Sequence, residues 1–201
     1  MMTDVTVVGT GGMGAAIARN LINAGYSVAV WNRNRARLAP LEEAGAVPLE
    51  GPGEVFSSPV VFSVLADDRA AREVFLDSGV LSSAPVGAIH VNLATVSPAL
   101  AEEAARAHAD NGVGYVAAPM FGGVPVAQAG KLNIVTAGSA EYVDRIRPLL
   151  EAVSARLWPV GAMPRQANVV KVAGQVLIAS AIQSMSEAVA IGERGGVDAE
   201  T

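Results

Sequence analysis

The sequence predicts an α/β protein with a doubly wound parallel sheet, and three observations carry that expectation. Short apolar runs alternate with helical stretches from the first residues onward. The turn after the first run is Gly9-Thr10-Gly11-Gly12-Met13-Gly14, a G-x-G-x-x-G pattern. No internal repeat or low-complexity tract breaks the alternation. Strands separated by helices of this length imply parallel pairing, with crossover helices on both faces of the sheet.

In order, Val5 to Val8 reads as a strand and Met13 to Ala24 as a helix ended by Gly25. Ser27 to Trp31 is a second strand, and Arg35 to Ala44 a second helix stopped by Gly45. Further strands are expected at Val60 to Leu65, Ala88 to Leu93, Val113 to Ala117, Leu132 to Thr136 and Arg156 to Val160, with helices at Arg69 to Leu76, Pro98 to Asn111 and Glu141 to Ser154. Ser97, just before Pro98, is the better N-cap candidate there. After Gly161-Ala162-Met163-Pro164 the pattern changes to one long helix, about Gln166 to Arg194, closed by Gly195-Gly196. Residues 1–162 are therefore expected to form a sheet domain. Residues 163–201 would form an interdomain helix and the start of an all-α domain that is mostly absent. A helix so long and apolar needs cover from another domain or subunit, which implies a homodimer.

Of the 201 residues, 51% are hydrophobic and 16% charged, with a net charge of -5. That balance argues against nucleic acid, whose binders carry a basic stripe. No cysteine is present, which excludes disulfides, thiolate metal sites and cysteine nucleophiles. Two histidines, His90 and His108, are too few for a His-rich zinc site, and no metal is expected. Lys171, Gln175, Gln183 and Glu187 break the most apolar stretch, so it reads as a buried helix and not as a membrane span. The N-terminus lacks a basic segment typical of a secretory signal, and a cytoplasmic location is expected.

The glycine pattern has the context that a dinucleotide-binding Rossmann domain requires, a strand before it and a helix after it. Gly9 permits the tight turn, Gly11 the approach of backbone to a pyrophosphate, and Gly14 close packing of helix on strand. Cofactor choice lies at the end of the second strand, where an NAD site usually carries an acid. Here stand Asn32-Arg33-Asn34-Arg35, with Arg37 nearby. A carboxylate would repel a 2'-phosphate, whereas an arginine binds one by charge-assisted hydrogen bonds. NADP(H) is therefore expected over NAD(H), unless Arg33 and Arg35 are only solvated turn residues.

Three further segments, with the opening block and Trp31-Asn32-Arg33, make the chain resemble the β-hydroxyacid dehydrogenase family. That family includes 3-hydroxyisobutyrate dehydrogenases and glyoxylate or succinic semialdehyde reductases, has the 6-phosphogluconate dehydrogenase type of NADP-binding domain, and is related to imine reductases. The segments are Asn92-Leu93-Ala94-Thr95-Val96-Ser97-Pro98, then Ala118 to Pro125 continuing through Gly130-Lys131-Leu132, then Asn168-Val169-Val170-Lys171. The resemblance implies hydride transfer between nicotinamide and a small hydroxy acid or aldehyde acid. It places Thr95, Leu65 and Ala66 near the nicotinamide, and Phe121, Gly122, Gly123 and Asn168 at the substrate. Lys171 falls at the catalytic lysine, with Gln175 assisting.

On the residues alone, Lys171 lies among Val and Ala, where burial disfavours the ammonium and suits it to exchange a proton with a carbonyl oxygen. A lysine snorkelling from a helix edge reads equally well from sequence, and the family position favours the catalytic role. Asn168, Lys171 and Gln175 form one polar stripe on an apolar helix. Three departures stand out: Phe121 where the family usually has Ser, Arg165-Gln166-Ala167 in place of Gly-x-Gly, and Gln175 in place of Asn, with Gly174 before it. The alternatives are an imine reductase, whose members commonly replace the lysine, and a non-catalytic NADP-binding module.

Overall fold

Residues 3–199 are described by a computed structural model. The first half alternates as expected: β1 (Val5–Val8), α1 (Gly12–Asn23), β2 (Val28–Trp31), α2 (Ala39–Glu42), β3 (Val47–Pro48), β4 (Val60–Ser63), α3 (Asp68–Phe75), β5 (Ile89–Asn92), α4 (Pro98–Asp110) and β6 (Gly114–Ala117). The second half comprises β7 (Met120–Phe121), α5 (Val124–Gln128), β8 (Leu132–Ala137), α6 (Ala140–Glu151), β9 (Ser154–Gly161) and α7 (Arg165–Arg194). Strand order is β3-β2-β1-β4-β5-β6-β8-β7, with β9 also pairing to β8. β1, β4, β5 and β6 are buried at every residue, which is why they read as continuous apolar runs. From β3 to β6 every pairing is parallel, and the order reverses between β1 and β4.

Two expectations need correction. The helix expected from Arg35 to Ala44 is a 3-10 turn at Arg35–Arg37 followed by the four-residue α2, because Pro40 admits only a fresh helical start. Uniform parallel pairing also fails: β6 and β7 both run antiparallel to β8. The connection 122–131 holds only α5 and is shorter than the dozen or so residues a parallel crossover takes. The chain therefore turns back beside β7. The β8–α6–β9 unit then restores a parallel crossover. Helix starts follow the side chains: Ser97 Oγ accepts from Leu100 N at 3.1 Å to cap α4, and Asp67 caps α3 through Ala70 N at 2.8 Å. Gln166, in the first turn of α7, accepts through Oε1 from Met163 N at 2.9 Å and so ties the helix start to the segment before it.

α7 inverts the usual amphipathic logic. Its buried residues are Ala167, Asn168 and Lys171, while Val169, Val170, Val172, Val176, Leu177, Ile178 and Ile182 are exposed. By length and composition alone α7 would suffice to cross a membrane, with a mean hydropathy of 1.3. Its first turns instead pack on α4 and β8.

The two histidines, His90 of β5 and His108 of α4, lie side by side in the core. His108 Nδ1 donates to the Ala104 carbonyl at 2.7 Å, so His108 Nε2 must accept from His90 Nδ1 at 2.7 Å. His90 Nε2 in turn accepts from Ser63 Oγ at 2.7 Å. Phe75 stacks on His90 with centroids 3.9 Å apart. Every nitrogen is used in the neutral form, and burial pushes His108 down to about 4 and His90 well below the histidine range, His108 adding to the latter. Unfolded histidines titrate near 6.5. Unfolding therefore takes up protons below that pH, and the stability these neutral rings contribute is present above it and lost as pH falls through the folded value. For His108 alone the loss is about 3 kcal/mol. Urea unfolding midpoints should stay level above pH 7 and fall steadily from pH 6.5 to 4; a level profile across that window would show that the rings protonate in place.

Candidate functional site

A cleft of about 490 Å³ opens at the carboxyl ends of β1, β2 and β4, where the strand order reverses, the place where open α/β sheets gather ligands. Its floor is the glycine turn. Gly9 has φ 90°, and a Cβ there would lie 2.5 Å from the Val64 carbonyl oxygen. A Cβ on Gly14 would fall on the Gly9 carbonyl oxygen, so helix and turn meet backbone to backbone. Gly11, the N-cap of α1, offers no side-chain cap. The amides of that first turn are left for an anion, with the helix dipole behind them.

Asn32 braces the turn from β2: its Oδ1 accepts from Thr10 N at 3.1 Å, and its Nδ2 donates to the Asn34 carbonyl at 2.9 Å. Asn34 Oδ1 accepts from Ala36 N at 3.1 Å and sets the 3-10 turn. Arg33 and Arg37 line the cleft, and Arg37 Nη1 lies 3.7 Å from where a Cβ on Gly11 would stand. The Arg33 side chain is 90% exposed and 3.9 Å from Glu73, which lines the same cleft from α3. Arg35 is spent elsewhere, on both oxygens of Glu50 at 2.6 and 2.9 Å.

Farther along the same sheet edge, beyond β5 and β6, lies a second cluster. Lys171 is 6% exposed, its Nζ donating to the Met120 carbonyl at 2.7 Å and standing 4.1 Å from the centroid of the Phe121 ring. Burial lowers its proton affinity below the lysine norm. One turn earlier, Asn168 Nδ2 donates to the Val96 carbonyl at 3.0 Å, and its buried Oδ1 has no partner among the described residues. Val96 follows Thr95 on the loop after β5, so this bond ties α7 to that loop.

The cleft thus gathers Gly9, Gly11, Gly12, Met13, Gly14, Asn32, Arg33, Asn34, Leu65 and Ala66. Thr10 is not in it: the residue is buried, and its Oγ1 is unpartnered among the described residues. Thr95 is exposed outside the cleft lining, and Gly122 and Gly123 are exposed after β7. The polar stripe on α7 divides. Asn168 and Lys171 are buried, whereas Gln175 is exposed with no hydrogen-bond partner among the described residues. Sequence reasoning missed Glu73, whose place in the cleft depends on where α3 docks, and the Met120 carbonyl, which no side-chain pattern announces.

The comparisons agree with this geometry. The model for the NAD binding domain of 6-phosphogluconate dehydrogenase matches residues 4–172. An uncharacterized oxidoreductase of Bacillus subtilis is 34% identical over 196 residues, covering 96% of this chain and 68% of the relative. The solved 3-hydroxyisobutyrate dehydrogenase of Mycobacterium tuberculosis, with L-serine, superposes with a TM-score of 0.91 at 26% identity, over 98% of this chain and 67% of that one. A Streptomyces aurantiacus imine reductase gives a TM-score of 0.90 at 27% identity, over 98% and 69%. The chain spans about two thirds of the length of each.

Proposed function

The chain belongs to the family of the NAD binding domain of 6-phosphogluconate dehydrogenase, the NAD(P)-dependent oxidoreductases of the 3-hydroxyacid dehydrogenase type, and we propose that it serves an NADP(H)-dependent reductase of a small carbonyl acid. The observation that carries the reading is the buried ammonium of Lys171, held by the Met120 carbonyl on the same sheet edge as the glycine-floored cleft.

The residues fit a dinucleotide. The floor has no side chains at Gly9, Gly11 and Gly14, the first turn of α1 is uncapped, and Arg33 and Arg37 among the cleft's lining residues support a preference for a 2'-phosphate. A bound nicotinamide supplies or takes the hydride. The chain's own residues handle the proton and the orientation. As a carbonyl carbon gains hydride, its oxygen takes a proton from Lys171 Nζ, which is left as a neutral amine and recharges from solvent. Burial suits Nζ to that exchange, and the Met120 carbonyl keeps it from turning away. The free Oδ1 of Asn168 supports a role in orienting the substrate, together with Gln175 and the backbone of Gly122 and Gly123. Thr95, Leu65 and Ala66 would flank the nicotinamide. The Phe121 wall and the likeness to an imine reductase favour C=N reduction as the second reading.

Residues 163–201 fit the opening of a helical domain through which the protein pairs as a homodimer, since the exposed apolar face of α7 needs cover. Sedimentation of the full-length protein should report at least a dimer at micromolar concentration; a monomer would contradict the pairing. Arg33→Ala should weaken NADPH binding and leave NADH binding nearly unchanged, as titration of cofactor fluorescence would register; equal losses would remove the phosphate assignment. Lys171→Ala should lower turnover about 100- to 10,000-fold while NADPH still binds, and Lys171→Arg should not restore it, because a guanidinium holds its proton. Near-normal turnover in the Ala variant would favour the imine reading, since an iminium needs no such donor.

A further inference from the structure

Lys171 is held from two sides by neighbours in one two-residue strand. Met120 gives the carbonyl, and Phe121 gives a ring whose centroid lies 4.1 Å from Nζ. The edge of that ring reaches α7 at Gly174, where a Cβ would stand 2.6 Å from Cζ and 2.7 Å from Cε1. Real Cβ atoms do not come so close, so the ring occupies the volume that any other residue at 174 would fill. Positions 171 and 174 are one helical turn apart and share a face. An ammonium has three N–H donors. One is spent on Met120, and the ring covers a second side.

We propose that Phe121 and Gly174 are a matched pair that positions Lys171, the ring edge seated on the bare Cα of Gly174 and the ring face closing one side of Nζ, so that a substrate reaches the amine only from the side away from the ring. The inference deepens the reading of Lys171 as the proton donor and rests on it. Phe121 and Gly174 act through the lysine and are positioning residues. The pairing also accounts for a glycine inside a helix, where alanine would be favoured by about 1 kcal/mol. Phe121, a departure from the family pattern, and Gly174, the neighbour of another at Gln175, lie 53 residues apart in the chain and thereby become one feature.

The test uses the fact that Lys131 and Lys171 are the chain's two lysines. Competitive acetylation with acetic anhydride across a pH series, read by peptide mass spectrometry, measures Lys171 against the exposed Lys131 in the same sample. In the wild-type protein Lys171 should react more slowly than Lys131, and its labelling should titrate below the ordinary lysine range. Gly174→Ala should dislodge the ring and speed Lys171 labelling about tenfold, the effect of roughly 1.4 kcal/mol, although helix propensity alone predicts a harmless or stabilising change. Phe121→Leu should also speed it, by leaving a gap above Gly174. Combining Phe121→Leu with Gly174→Ala should return labelling toward the wild-type rate, because the alanine methyl fills that gap. Additive effects in the double variant, or unchanged labelling in both single variants, would overturn the pairing. If Gly174→Ala does not fold, Phe121→Leu alone decides, by whether Lys171 becomes more reactive. Because labelling needs no substrate, failure of the donor role stays distinguishable: turnover would survive Lys171→Ala while the coupling between 121 and 174 persisted.

Discussion

Helix α1 rests on the turn after β1 with no atom to spare. At Gly14 the helix backbone meets the carbonyl of Gly9, and Gly9 in turn abuts the carbonyl of Val64 at the end of β4. Three backbones, from β1, α1 and β4, therefore touch at the point where the strand order reverses. Any side chain there would push the helix off the sheet, and a packed interior resists even one added methyl group. The bare floor of the cleft follows from this contact, as does the direction of α1, whose uncapped amides face into it. Asn32 adds a strut from β2 through Thr10 N, so its amide serves the shape of the turn.

The second half depends on a reversal. Because β7 and β8 run antiparallel, β7 lies on the sheet edge beneath the start of α7, and Met120 presents its carbonyl to Lys171. Burying an ammonium with a single carbonyl partner is unfavourable unless something requires it. A helix whose buried residues include Asn168 and Lys171 has set stability second at this point. Displaced proton affinity of this kind clusters where chemistry occurs.

How much was legible follows from what each feature depends on. β1, α1, β2, β4 and β5 carry local patterns, apolar runs closed by glycines or caps, and were readable to within a residue or two. The glycine turn was readable because the chemistry of its residue types singles it out, and the burial of Lys171 was foreshadowed by its Val and Ala neighbours in the chain. β7 and α5 were not: two residues do not make a periodicity, and five residues are too few for a helical one, although Pro125 sits where a helix start favours proline. Pro40 lies inside the stretch expected to be the second helix, and the helix breaks at it. Glu73 enters the cleft only because α3 docks beside the Arg33 turn, a tertiary fact. The linked rings of His90 and His108, 18 residues apart, arise from β5 and α4 packing together, which single-residue reasoning does not reach.

The buried histidine chain has a further implication for how the sheet tolerates change. Its hydrogen bonds all point one way, from the Ser63 hydroxyl through both imidazoles to the Ala104 carbonyl. Each member is thereby assigned as donor or acceptor by the next. An Asn in place of either ring would need to supply one donor and one acceptor at the same separation, and a Phe would leave two polar groups stranded. The three side chains are thus chemically interdependent: a change at one alters what the next must donate or accept.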